Sequence, residues 1–263
     1  MDIILTNDDG IWAVGLRCLA RELRRAGHRV HVIAPLTEQS AVGHAVTLSL
    51  PLRIREVKEN NFQGTGVSGT PVDCVKMALG TVFRFQPDLL ISGINSGANV
   101  GVDVLYSGTV AAATEAALVG TPSMAVSVDH FNPADLTEQA RYTAGLLERI
   151  DWPGLPANRV INLNFPDCSL EESKGLRCCT QTRAVYEDWY EKRTDPRGRD
   201  YYWLCGEILE EKLEPETDRT LLTRGYITLT PLTFDFTDRS LLERLEGDLG
   251  LAGAGGEGFR QGN

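Results

Sequence analysis

An α/β fold built on a mostly parallel sheet is the class this chain predicts, on three observations. Short apolar runs recur: Asp2–Asn7, Arg29–Ala34, Pro87–Ser92, Ser123–Val128 and Arg159–Asn164. They are continuously apolar and rich in β-branched residues, the pattern of strands buried on both faces. Between them lie segments whose apolar residues fall three and four apart, the helical period. Alternating strand and helix signals imply βαβ units with right-handed crossovers.

The first strand, Asp2–Asn7, ends in Asp8-Asp9-Gly10. From Ile11 to Ala26, Leu16, Leu19, Ala20 and Leu23 mark an amphipathic helix that Gly27 ends, and Arg29–Ala34 is a second strand stopped by Pro35. Val46 to Val57 alternates and contains Pro51, which predicts a short excursion of edge strands. Thr70-Pro71-Val72-Asp73 reads as a helix start, with Thr70 as cap and Pro71 at the first helical position; this helix is expected to reach about Phe83. After the strand Pro87–Ser92 comes a glycine-rich loop, Gly93–Gly101, then an alanine-rich helix from Thr109 to Val119. Ser123–Val128 is a strand, Ala134–Ile150 a helix, and Arg159–Asn164 completes the regular pattern.

Beyond Pro166 the character changes. Residues 168–224 carry Tyr186, Trp189, Tyr190, Tyr201, Tyr202 and Trp203 among many charges, and read as extended hairpins. Thr237–Leu249 predicts a last helix capped by Thr237. The expected division is therefore a catalytic core over 1–167, an extended hairpin arm with returning elements over 168–250, and a disordered glycine-rich tail over 251–263.

With 263 residues, 42% of them hydrophobic and 24% charged, the composition is that of an ordinary globular protein with room for a large core. The net charge of −10 argues against binding a nucleic-acid polymer, which needs a basic surface. It leaves room for a small phosphorylated ligand, because one bound cation reverses the local field. Six cysteines lack the spacing of a zinc site, no stretch approaches a membrane span, and a reducing cytoplasm is the expected location.

Three loops follow three strands and should converge on one sheet edge, where open α/β sheets bind ligands. The first holds Asp8 and Asp9. The second, Pro35–His44, supplies Ser40 and His44. The third supplies Asn95 and Asn99. Carboxylate, hydroxyl and amide oxygens make an all-oxygen set suited to a hard cation such as Mg²⁺ or Mn²⁺. Adjacent Asp8 and Asp9 repel one another unless a cation or a charge-assisted donor joins them. Ser107-Gly108-Thr109 opens the alanine-rich helix, and helix amino termini receive anions; simple capping by Ser107 is the competing reading. Gly64-x-Gly66-x-x-Gly69 matches a dinucleotide fingerprint as a pattern, but it follows the wrong strand and lacks the acidic partner, so it reads as a flexible turn.

ILTNDDG (4–10), APLTEQSAVGHAVTL (34–48), GTPVDCVKMAL (69–79), PDLLISGINSGANVG (87–101) and YSGTVAAATEAALVGTPSMAVS (106–127) together resemble the SurE family of survival-protein nucleotidases. Weaker echoes are VINLNFP (160–166), DPRGRDYYWLCGE (195–207) and TDRTLLTRGYITLTPL (217–232). The resemblance implies a three-layer Rossmann-like core and an extended carboxyl-terminal hairpin arm that assembles a homodimer or homotetramer. It implies metal-dependent hydrolysis of nucleoside 5′-monophosphates, with 3′-monophosphates and short polyphosphate as further candidate substrates. It further implies one divalent metal ion per subunit, Mg²⁺ or Mn²⁺, held by Asp8, Asp9, Ser40 and Asn95. Asp8 and Asp9 would be catalytic, Ser107, Gly108 and Thr109 would contact phosphate, and Asn99 and His44 are further candidate substrate contacts. The alternative is a non-catalytic nucleotide or metal sensor on the same fold. A covalent aspartyl-phosphate route is disfavoured because it needs an Asp-x-Asp spacing, whereas these aspartates are adjacent.

Overall fold

The computed structural model describes residues 1–251. It divides into two compact units, Met1–Leu232 and a second beginning at Thr233. The first unit opens with strand β1 (Asp2–Thr6), helix α1 (Val14–Arg25) and strand β2 (Arg29–Pro35), followed by β3 (Ile54–Glu59), β4 (Phe62–Val67) and helix α2 (Pro71–Met77). Next come β5 (Leu89–Ser96), α3 (Gly108–Leu118), β6 (Ser123–Val128), α4 (Thr137–Leu147) and β7 (Arg159–Phe165). The unit continues with β8 (Leu176–Cys178), β9 (Glu187–Thr194), β10 (Asp200–Glu207), α5 (Asp218–Thr223) and β11 (Ile227–Thr233).

Nine strands form one sheet in the order β3-β4-β2-β1-β5-β6-β7-β11-β8, and β9 and β10 form a separate antiparallel hairpin. The pairs β1–β2, β1–β5, β5–β6 and β6–β7 are parallel. Along β1 the side chains alternate between two cores. Ile3 and Leu5 join Leu16, Leu19, Ile91 and Val126 on one face, while Ile4 joins Ile33, Val75, Leu90, Ala112 and Ala116 on the other. Both faces are thus covered, which is the physical reason the strands read as unbroken apolar runs. Because β1 pairs with β2 on one side and β5 on the other, its carboxyl end is the switch point where α/β sheets open a crevice.

Several local expectations need correction. The stretch before Ile54 forms no strand; the edge excursion is the antiparallel pair β3–β4. Gly64 and Gly66 therefore lie in β4, which pairs with β2, and not in a flexible turn. Their missing side chains serve packing: a Cβ on Gly66 would stand 2.3 Å from Leu36, and one on Gly64 3.0 Å from Val32. Strand β5 runs on through Gly93 to Ser96, so Asn95 is a strand residue, paired with Ser127 across a shift in register. Helix α2 begins with the expected capping box of Thr70 and Asp73, but after Met77 it widens into a π turn over Ala78–Val82.

In the second unit, α6 (Arg239–Asp248) is capped by Asp238, whose carboxylate accepts the Leu241 N–H at 2.9 Å, rather than by Thr237. The expected disordered tail lies outside the described residues from 252 onward. No helix among the described residues is long and apolar enough to cross a membrane.

Candidate active site

A cavity of about 420 Å³ opens at the carboxyl ends of β1, β5 and β6, and Asp8, Ser40, Asn95, Asn99 and Ser107 all line it. Asp8 is 5% exposed. Its Oδ2 accepts the Thr109 N–H at 3.0 Å, and its Oδ1 accepts the Thr109 hydroxyl. Burial pushes the Asp8 carboxyl up, against the opposing pull of the Thr109 hydroxyl and N–H. Asp9 accepts the Ser96 N–H at 3.1 Å. Burial, followed by the Asp8 charge, raises its carboxyl to about 7. Two desolvated, mutually repelling carboxylates favour whatever brings positive charge between them.

The Ser40 loop is fixed to the same centre, because the Gln39 N–H donates to the Asp8 carbonyl at 2.8 Å and the Gly43 N–H to the Tyr106 carbonyl at 2.9 Å. The Ser40 hydroxyl donates to Glu38 at 2.6 Å, leaving its lone pairs for a cation. The Asn95 amide nitrogen donates to the Gly97 carbonyl at 2.7 Å, an orientation that keeps the side-chain oxygen available to a cation. Asn99 is clamped from β7: its N–H donates to Asn164 at 2.8 Å and its carbonyl accepts from Asn162 at 2.8 Å. Its own amide donates to Ser127 at 2.8 Å.

The amino terminus of α3 is arranged differently from a simple phosphate cradle. The Ser107 hydroxyl caps it, accepting the Val110 N–H at 3.0 Å. Gly108 is glycine because a Cβ there would stand 2.8 Å from the Asp8 Cβ. Thr109, fully buried, turns both of its donors to Asp8. Of the three, Ser107 alone borders the cavity. The helix dipole therefore first stabilises a carboxylate of the protein itself. His44 also lies off the cavity, its Nε2 2.9 Å from Glu115, which receives Lys76 at 2.6 Å.

The sequence reading missed Asp103, Asp129, Phe131, Tyr186 and Arg219, all of which line the cavity. Arg219 ion-pairs with Asp103 and lies over the Tyr186 ring at 5.6 Å. The signal for Arg219 was present in the Thr217–Leu232 motif but carried no role there; for the others, no local pattern marks them.

The donor set fits a hard divalent cation. Among the described residues no cluster of three His, Cys, Asp or Glu side chains is placed to hold a metal, so a cation here would rest on two carboxylates and neutral oxygens. The lining presents three carboxylates (Asp8, Asp103 and Asp129) against one guanidinium, Arg219. A phosphate dianion entering such a cavity is repelled unless a cation accompanies it.

Comparison with known proteins places this architecture. The family model described as "Survival protein SurE" matches residues 3–188. The chain belongs to the SurE family. It is 59% identical to 5′-nucleotidase SurE of Nitratidesulfovibrio vulgaris (strain DSM 19637 / Miyazaki F), over 99% of this chain and 97% of that one. It is 58% identical to 5′-nucleotidase SurE of Maridesulfovibrio salexigens, over 95% of this chain and 100% of the relative. The crystal structure of the SurE protein from Aquifex aeolicus superposes with a TM-score of 0.80 at 32% identity, covering 95% of this chain and 100% of that one. The mostly parallel sheet is thus that of a SurE fold, and the β9–β10 hairpin is consistent with it.

Proposed function

We propose that this protein is a 5′-nucleotidase, converting nucleoside 5′-monophosphates and water to nucleosides and inorganic phosphate. The observation that carries the reading is the paired, desolvated Asp8 and Asp9 at the switch point of a SurE fold, with Asp8 bordering a cavity shared with Ser40 and Asn95. Asp8, Asp9, Ser40 and Asn95 would hold a divalent cation, which when bound would supply positive charge against the phosphoryl oxygens. One Mg²⁺ or Mn²⁺ per subunit suits these ligands.

The chain's own groups do the rest. Thr109 favours the ionised form of Asp8 against the effect of its burial and fixes the carboxylate in orientation. The Ser107 hydroxyl accepts from Val110, so its proton is available to a phosphoryl oxygen. The proton of the attacking water is assigned to the carboxylate pair, Asp8 or Asp9. The water oxygen bonds to phosphorus, the bond from phosphorus to the 5′-oxygen breaks, and a proton ends on the nucleoside hydroxyl. Asn99, clamped by β7, borders the same space as a substrate contact.

The arm β9–β10 exposes Trp189, Tyr190, Tyr202, Trp203 and Leu204, an apolar surface suited to a second copy of the chain. We infer a homodimer or homotetramer assembled by this arm, acting in the cytoplasm. The test is phosphate release from AMP with and without Mn²⁺, for wild type and Asp9→Asn. Wild type should need the cation, and the variant should lose at least about 10²-fold in kcat, as when a preorganised electrostatic group is removed, with unchanged circular dichroism. Tight AMP binding with no phosphate release would favour the sensor reading instead.

A further inference from the structure

Asp129 is the carboxylate in the cavity that the hydrolytic reading leaves without a task. It follows β6, and the Gly97 N–H donates to the Val128 carbonyl at 2.9 Å, so Asp129 stands beside the end of β5, which carries Asn95. Its own N–H is tied to the Phe165 carbonyl at 2.8 Å, which fixes the backbone between β6 and β7. Of the three lining carboxylates, Asp8 receives Thr109 and Asp103 receives Arg219. Asp129 makes no side-chain hydrogen bond or ion pair among the described residues. A partly buried carboxylate facing a cavity without a protein donor is satisfied by water or by donors on a ligand.

Two residues further along, Phe131 is 76% exposed, lines the same cavity and lies against Gly97, where a Cβ would stand 3.0 Å from its ring. In a nucleoside monophosphate the sugar lies between phosphate and base. With the phosphate placed by Asp8, Ser40 and Asn95, the two groups beside Gly97 divide the rest by chemistry: the Asp129 carboxylate suits the hydroxyl donors of the sugar, and the exposed Phe131 ring suits the face of the base. Vicinal sugar hydroxyls are two donors that a single carboxylate accepts together, the chemistry by which acidic residues hold ribose in dinucleotide folds.

We propose that Asp129 reads the sugar of the substrate, its carboxylate accepting the 2′- and 3′-hydroxyls of ribose while Phe131 covers the base. This rests on the nucleotidase reading above and makes the protein selective for ribonucleotides over deoxyribonucleotides. The test is kcat/KM with Mn²⁺ for AMP, 2′-deoxy-AMP and p-nitrophenyl phosphate, which has no sugar, in wild type, Asp129→Ala and Asp129→Asn. Wild type should favour AMP over its deoxy analogue by about ten- to a hundredfold, the range of one hydrogen bond to a charged group. Asp129→Ala should bring that ratio to within about threefold of unity, because the charged hydrogen bond that sets it is gone. Its loss on AMP should also exceed its loss on p-nitrophenyl phosphate by about tenfold on the same scale. Asp129→Asn, close to isosteric and with one acceptor, should fall between, and covers the case in which the alanine variant does not fold. A sugar ratio that the variants leave unmoved overturns the proposal, as does an equal loss on all three esters. A changed preference among bases with no change in the sugar ratio overturns it too. Wild type inert toward every ester refutes the nucleotidase reading and takes this inference with it; activity without sugar discrimination refutes the inference alone.

Discussion

Thr109→Val probes how Asp8, the carboxylate proposed to be catalytic, is held. The substitution keeps the β-branched shape and the helical backbone, and removes one group, the hydroxyl donating to Asp8 Oδ1. The N–H bond to Oδ2 at 3.0 Å remains. Thr109 is 0% exposed, so no water replaces the lost donor. A hydrogen bond to a charged group contributes about 1.5–3 kcal/mol, which corresponds to roughly 10- to 150-fold in an equilibrium or rate. That free energy divides between folding, if Asp8 stays ionised without its donor, and catalysis, if Asp8 turns. Urea unfolding should therefore show a loss, and kcat/KM for AMP should fall, the two together spanning that range. Thr109→Ser keeps the donor and gives up one methyl, at about 0.8 kcal/mol, so it should recover most of the activity. Were Thr109 a phosphate ligand instead, KM would rise with the unfolding midpoint unmoved. A valine variant with wild-type stability and wild-type turnover would refute the reasoning outright.

Three further outcomes are expected. Gly15→Ala, which in an ordinary helix is worth about 1 kcal/mol of stabilisation, should instead destabilise. Its Cβ would stand 2.0 Å from the Ile94 carbonyl, and the displacement reaches Asn95, so thermal melting and phosphate release should fall together. Glu115→Ala removes a buried carboxylate joining Lys76 and His44, and should cost about 1–3 kcal/mol in urea unfolding. Burial raises the Glu115 carboxyl, but the bonds from Lys76 and His44 outweigh it, and the folded value lies below the ordinary 4.5. The contribution is therefore present above pH 4.5 and is lost as pH falls through the lower folded value, so the gap between wild type and variant should close in acid. Replacing Trp189 and Trp203, 50% and 57% exposed on the arm, with serine should shift sedimentation toward smaller species without loss of secondary structure.

Much of the site was legible because parallel strands aim their following loops at one edge. Asp8 and Asp9 after β1, Ser40 after β2 and Asn95 at the end of β5 each announce themselves locally, and the fold brings Asp8, Ser40 and Asn95 around one cavity. What the pattern could not show were partners distant in sequence. Thr109 looked like a phosphate donor because a helix start presents its donors to anions, and it takes the contact to reveal that the nearest anion is Asp8, 101 residues away. His44 looked like part of the edge for its loop position, yet it pairs with Glu115 and does not line the cavity.

Sequence by itself determined the strand and helix order of the core, since burial on both sheet faces forces unbroken apolar runs and helices betray themselves by period. It also determined the acidic pair at the first strand end and the family. Tertiary structure alone decided which charges face the cavity: Arg219, Asp103 and Asp129 come from three separate segments. It decided, too, that Gly64 and Gly66 pack as strand residues beneath Val32 and Leu36. Periodicity records how often a residue is buried; which residue it meets there depends on how nine strands are ordered, and no local run of amino acids encodes that.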